Sequence, residues 1–444
     1  MRVKTSVIYL VLFFFVALFL HAPGVSAQAK GAFSLEQSIS EALEKNWSLK
    51  ATEERVDQAV SVKQQARAEF LPKLGMSYGY TRLSEPAIIR SDTGFPGLDG
   101  VALSSQDNYQ WRGTVTQPLF TGFALVSSYK LAALGIDQSE MEVELEKLDL
   151  ALRVKEAYFN ILIADKAVEV AEKDVEFRES NVNVASSFYK VGMIPVNDLL
   201  KAEVELGNSQ QNLIKARNGS RLARAAFNIV LSRPVNEPAE VEDILVYKPE
   251  RVSFEEYLAQ ALKNRPEMKL IDINILQTDQ QIRLAGSKNY PEVSLMYDYI
   301  KEGDEPDVSG GSFHDAGRWE ATAVCTWTFW EWGKTYYSVK EKEGFKRELV
   351  QTRLSLEDSI RLELKDSILR METAEENIPT TKKAVAQGEE NLRVNNERYK
   401  AQVTTITEVL DAQTLLTQAR VNYYRALYSH NLARASLLRA LGTY

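Results

Sequence analysis

Cysteine is almost absent from this sequence. Cys325 stands alone, so no intramolecular disulfide can form, and stability has to come from packing and assembly. Histidine is nearly as scarce: beyond the first 27 residues only His314 and His430 occur, too few and too far apart for a histidine metal site. Basic residues are the minority, 53 Lys and Arg against 61 Asp and Glu, which argues against nucleic acid as a partner. No stretch after Leu20 is apolar enough to cross a bilayer as a helix. A nucleophile elbow is missing as well, because Gly310-Gly311-Ser312-Phe313-His314 lacks the last glycine and sits in loop-like surroundings. With neither a metal cluster nor a nucleophile in place, the sequence offers no catalytic site and implies no cofactor.

What the chain does have begins with its leader. Arg2 and Lys4 precede an apolar run from Val7 to Leu20, and Val25-Ser26-Ala27 supplies a small-residue cleavage site, so residues 1–27 read as a secretory signal cut after Ala27. Loss of Arg2 and Lys4 leaves 51 basic against 61 acidic residues, a net charge of −10. The next residue is Gln28, not cysteine, so a lipid anchor at that point is not expected.

The rest is one pattern written twice. Ser34, Ala42-Leu43, Pro72, Tyr78 and Tyr80 recur 219 positions later as Ser253, Ala261-Leu262, Pro291, Tyr297 and Tyr299. Farther on the offset is 210, pairing Tyr189 with Tyr399, Leu200 with Leu410 and Leu231 with Leu441. One half therefore carries the longer insertion between its strands. The spacing predicts a first repeat over 28–232, a linker over 233–251 and a second repeat over 252–444, each ordered helix, strand, loop, strand, long helix, turn, helix.

Alternation of apolar and polar residues predicts strands at about 72–83, 109–119, 291–300 and 318–329. Each has one greasy face and a length suited to a tilted membrane strand, although a soluble sheet packed on helices would look similar. The Gly-, Ser- and Asp-rich segments between them read as exposed tips. Trp327, Trp330 and Trp332 fit an interfacial aromatic belt better than a ligand platform. Four strands cannot close a barrel, so several chains must pool theirs.

From Gly122 to Tyr189 there is no proline and a single interior glycine, Gly135, enough helix to extend about 100 Å at roughly 1.5 Å per residue. Its copy contains Pro379, which predicts a kink or break in at least one of the two long segments. Turns are expected at about 190–197 and 400–407. The helix after the second turn has alanine every seven residues, Ala412, Ala419, Ala426, Ala433 and Ala440, and the first copy keeps small residues at Ala202, Ser209, Ala216 and Ala223. Such a heptad implies a left-handed, closely packed helix pair. Glu408 and Asp411, three apart, share one face at the start of that helix.

The doubled plan, the run Ala157-Tyr158-Phe159-Asn160-Ile161-Leu162, the turn Tyr189-Lys190-Val191-Gly192 with Asp198-Leu199-Leu200, and the ending Leu441-Gly442-Thr443 together resemble the TolC family of outer-membrane efflux proteins. The resemblance spans nearly the whole mature chain. It implies a mainly α fold with membrane β-barrel strands: a homotrimer whose twelve strands form one barrel in the outer membrane lipid of a Gram-negative bacterium. Long coiled-coil hairpins would then form a periplasmic tunnel, the exit duct of a tripartite efflux pump or type I secretion system. A periplasmic adaptor and an inner-membrane transporter are the implied partners.

The resemblance also assigns roles at the hairpin tips. Glu408 and Asp411 match acidic gate positions, and Asp198 takes the place of Glu408 in the first half. Tyr189, Gly192, Pro195, Tyr399, Gln402 and Thr404 fall where adaptors dock; Gln402 replaces a usual glycine and Thr404 a basic residue. The rival reading is a periplasmic coiled-coil adaptor or scaffold, which would carry one hairpin between sheet domains.

Overall fold

The computed structural model describes residues 32–89, 101–247, 253–313 and 315–444. The leader with its cleavage position, His314, residues 90–100 of the first loop and residues 248–252 of the linker lie outside the described residues.

The first half comprises α1 (Leu35–Lys45), α2 (Trp47–Ala68), β1 (Lys73–Arg82), β2 (Asp107–Thr121), α3 (Ala124–Lys190) and α4 (Val196–Val230). The second repeats it as α5 (Phe254–Asn264), α6 (Pro266–Gly286), β3 (Glu292–Gly303), β4 (Arg318–Thr326), α7 (Lys334–Lys400) and α8 (Ile406–Ala440). α3 and α7 have 67 residues each, and α4 and α8 have 35 each, so the halves differ in their strand loops and not in their hairpins.

The helical stretch before each strand pair is split in two, which the sequence pattern did not anticipate. Asn46 makes the first split: its backbone is extended, its side-chain oxygen accepts from the amides of Ser48 and Leu49, and its Nδ2 donates to the Val230 carbonyl at 2.8 Å. The equivalent split falls at Arg265, ahead of Pro266, where the following ring disfavours helical backbone. α1 begins with a capping box between Ser34 and Gln37.

The strands form one antiparallel sheet in the order β1-β2-β3-β4, which leaves β1 and β4 as open edges. The register aligns Tyr78 with Trp111, Tyr80 with Tyr109, Val115 with Tyr297 and Tyr299 with Trp319 on one face. The other face carries Thr114 bonded to Asp298, Gln110 bonded to Glu302, and Arg318 bridging Glu302 and Glu320. Asp298 and Ile300 on this polar face are buried within the single chain, whereas Leu74, Met76 and Tyr297 on the apolar face are exposed. That is the inversion a membrane strand needs: lipid can cover the exposed apolar side. β4 stops at Thr326, short of the expected 329, because its partner β3 begins at Glu292 opposite Thr326 and the Trp327 indole turns away to the Asn289 carbonyl.

Neither long segment is broken. α7 runs through Pro379 as one helix, and the hydroxyls of Thr380 and Thr381 bond the carbonyls of Glu376, Asn377 and Ile378 around it. Near the sheet the helices adjoin in the order α2, α3, α6, α7; below, α4 pairs with α3 and α8 with α7. The largest core cluster lies midway along the hairpins around Tyr158, Phe227 and Leu49. The Tyr158 hydroxyl donates toward the Phe33 and Glu242 carbonyls at 2.9 Å, and Phe33 pairs with Val241 as an isolated parallel bridge. The described part of the linker is thus part of the core, with Ala239 and Leu245 buried. His430 is buried too, its ring edge-on to Tyr247.

Candidate functional site

The hairpins end in two turns of the same build. In the first, the amides of Gly192 and Met193 donate to the carbonyls of Tyr189 and Phe188; in the second, those of Gln402 and Val403 donate to Tyr399 and Arg398. Both turns need a left-handed residue, Gly192 at φ 76 and Gln402 at φ 58. Glycine takes that conformation freely, while a side chain at 402 costs roughly 1–2 kcal/mol.

The two tyrosines before these turns part company. Tyr189 is exposed, whereas Tyr399 is buried against Phe188 with ring centroids 5.7 Å apart. The Tyr399 hydroxyl is enclosed and has no hydrogen-bond partner among the described residues. Burial, and after it the carboxylate of Asp198, raises the phenol's pKa above its ordinary value. Asp198 lies half-buried in the first turn of α4, so the fold brings the acid of one hairpin beside the tyrosine of the other.

Glu408 and Asp411 are both exposed on α8 and diverge in surroundings. Asp411 lines a groove of about 550 Å³ between α4 and α8, together with Lys201, Glu205 and Leu410. Glu408 stands outside it. Pro195 caps the start of α4 without a side-chain bond, and Thr404 is half-buried in the second turn. Of the small-residue seam, Ala412, Ala426, Ala433, Ala202 and Ser209 are buried, while Ala419, Ala216 and Ala223 are half-buried. Where α7 carries Gly388 the two helices come close: a Cβ added there would stand 3.3 Å from the Leu416 Cα of α8.

Sequence reasoning missed the most polar feature of the lower hairpins. Arg178 on α3 donates to Asp174 at 2.9 Å, to Glu205 of α4 at 3.0 Å and to Thr414 of α8 at 3.2 Å. Gln413 and Thr417 of α8 donate to the other oxygen of Asp174, at 2.7 and 3.0 Å. Arg178, Asp174 and Gln413 are all buried. Its sequence signal was the placing of two charges on the apolar spacing of α3, between Val170 and Ala185.

An open-edged four-stranded sheet with an exposed apolar face, carried on two hairpins with polar tips, defines a membrane channel assembled from several chains. A family model, outer membrane efflux protein, matches residues 38–228 and 257–443, and the chain belongs to that family. Among curated relatives, the outer membrane protein TolC of Escherichia coli K12 is 22% identical over 93% of this chain and 83% of its own length. The cobalt-zinc-cadmium resistance protein CzcC of Cupriavidus metallidurans is 25% identical over 66% of this chain and 68% of its own. The crystal structure of the Campylobacter jejuni CmeC outer membrane channel superposes with a TM-score of 0.78, at 16% identity, covering 92% of this chain and 85% of that one. The protein is an outer-membrane channel, the exit duct of an efflux system, which sets aside the adaptor reading.

Proposed function

We propose that the channel works as a homotrimer in which Asp198, Glu408 and Asp411 gate the periplasmic mouth. A periplasmic adaptor docks on the tips around Tyr189, Gly192, Pro195, Tyr399, Gln402 and Thr404, and an inner-membrane transporter delivers cargo through it. The observation that carries the gate is the pair Glu408 and Asp411, exposed at the free end of the hairpin and bonded to no cation among the described residues. Three copies around one axis crowd six carboxylates into the passage, with Asp198 behind them. Carboxylates so placed repel each other and attract cations, which favours cationic cargo.

Single-channel recording in a planar bilayer tests this reading. The parent should prefer cations and be blocked by multivalent cations, and Glu408→Ala with Asp411→Ala should raise conductance and abolish the block. If the double variant keeps the parent's conductance, preference and block, the two acids only favour a helix start, by about 0.3–1 kcal/mol each.

A further inference from the structure

Where the strands give way to the helices, a groove of about 530 Å³ opens between the first turns of α3 and the last turns of α6. Its lining includes two cations, Lys130 and Arg283, and no acidic residue. Both side chains are exposed, and neither makes an ion pair or side-chain hydrogen bond among the described residues. Arg283 sits in the last turn of α6, where the helix dipole alone would favour it. Lys130 has no such reason, since it lies near the positive end of α3. At the N-terminus of α3 the Phe123 side chain offers no cap and the Thr121 hydroxyl accepts only from the Leu125 amide, so the helix dipole adds to the positive field in the groove.

The groove opens on the lipid side. Phe123 and Tyr290 line it, and Phe123 meets Phe120 edge-on at 5.4 Å and Tyr290 at 5.7 Å. Phe120 pairs with Val293 on the aromatic face of the sheet, the face that meets lipid. The Asn289 carbonyl at the groove accepts from Trp327, which brings the exposed Trp327, Phe329 and Trp330 to the same level. α3 and α6 are the two middle helices of the row of four, so the groove is away from the edges that meet neighbouring copies.

We propose that this groove binds one anionic phospholipid of the helix-side leaflet per chain. Lys130 and Arg283 hold the phosphate, and the acyl chains lie along Phe123, Phe120 and Tyr290. The two cations and the apolar wall stand at headgroup and acyl depth respectively, an arrangement that free phosphate would use only in part.

Native mass spectrometry of the detergent-extracted full-length assembly tests this, with phosphatidylglycerol, phosphatidylcholine and inorganic phosphate as separate probes. The parent should retain phosphatidylglycerol, one per chain, over phosphatidylcholine by about thirtyfold, at about fivefold for each cation near an anionic headgroup. Lys130→Gln with Arg283→Gln should abolish that preference, while Lys130→Arg with Arg283→Lys keeps it. Equal retention of the two lipids by the parent overturns the proposal without recourse to any variant. Undiminished preference in the Gln variant, or displacement of the lipid by millimolar inorganic phosphate, overturns it equally.

Discussion

Arg178 joins three helices through bonds that would otherwise go to water, and its buried charge is tolerated because the buried Asp174 and the more exposed Glu205 both pair with it. Removing one partner of such a pair strands the other, at a cost of about 3–5 kcal/mol. Arg178→Met should therefore lower the midpoint of guanidinium unfolding sharply, and Arg178→Met with Asp174→Leu should recover most of the loss. A single variant that unfolds with the parent would mean the pair carries no load. Lys155 is a second buried charge: burial, then the Arg434 guanidinium, lowers its pKa, against a smaller opposing effect of Glu36. A lysine depressed in the folded state leaves the unfolded chain holding more protons between the depressed value and about 10.4, so stability rises with pH across that window. Lys155→Met should raise the melting temperature at neutral pH, and the gain should shrink as pH approaches about 10. A gain that stays constant with pH would show that the lysine's charge is not the cause. Spacing puts Glu408 and Asp411 on one face in the sequence alone; whether they line the same groove depends on where α4 passes, which no local pattern encodes.

At the scale of the element, the alanine heptad was legible because a seven-residue period survives any neighbour, and α8 does pack along α7. The depth of each position was not legible, and it now sorts the outcomes. Ala426 is buried and Ala419 only half-buried, so Ala426→Leu should overpack the hairpin at about 1–3 kcal/mol and Ala419→Leu should cost less. Equal melting of the parent and the Ala426 variant would remove the close-packed seam from the account. Pro379 does not bring the break that is one of its two expected outcomes, for a related reason. A proline breaks a helix that stands alone, but α8 lies along α7 and Ile378 is buried beside the ring, so packing holds the segment helical.

At the scale of the whole molecule, the open edges of β1 and β4 and the exposed aromatic face cannot be satisfied by one chain. Light scattering in mild detergent should give the mass of three chains, stable to warming; a monomer would end the trimeric reading. The doubling, the strand pairs and the long helices were visible in sequence because each rests on a local period. The closing of the barrel was visible only as a shortage of strands.

The unbroken course of α3 and α7 has a further consequence. With 67 residues in each, the separation between membrane and tip is a count of helical turns, about 100 Å at roughly 1.5 Å per residue. The protein is in this sense a ruler. Seven residues added to α3 alone would put its tip about 10 Å beyond that of α7 and leave α4 too short to return, so the reach of the channel can change only if all four arms lengthen together, a heptad at a time.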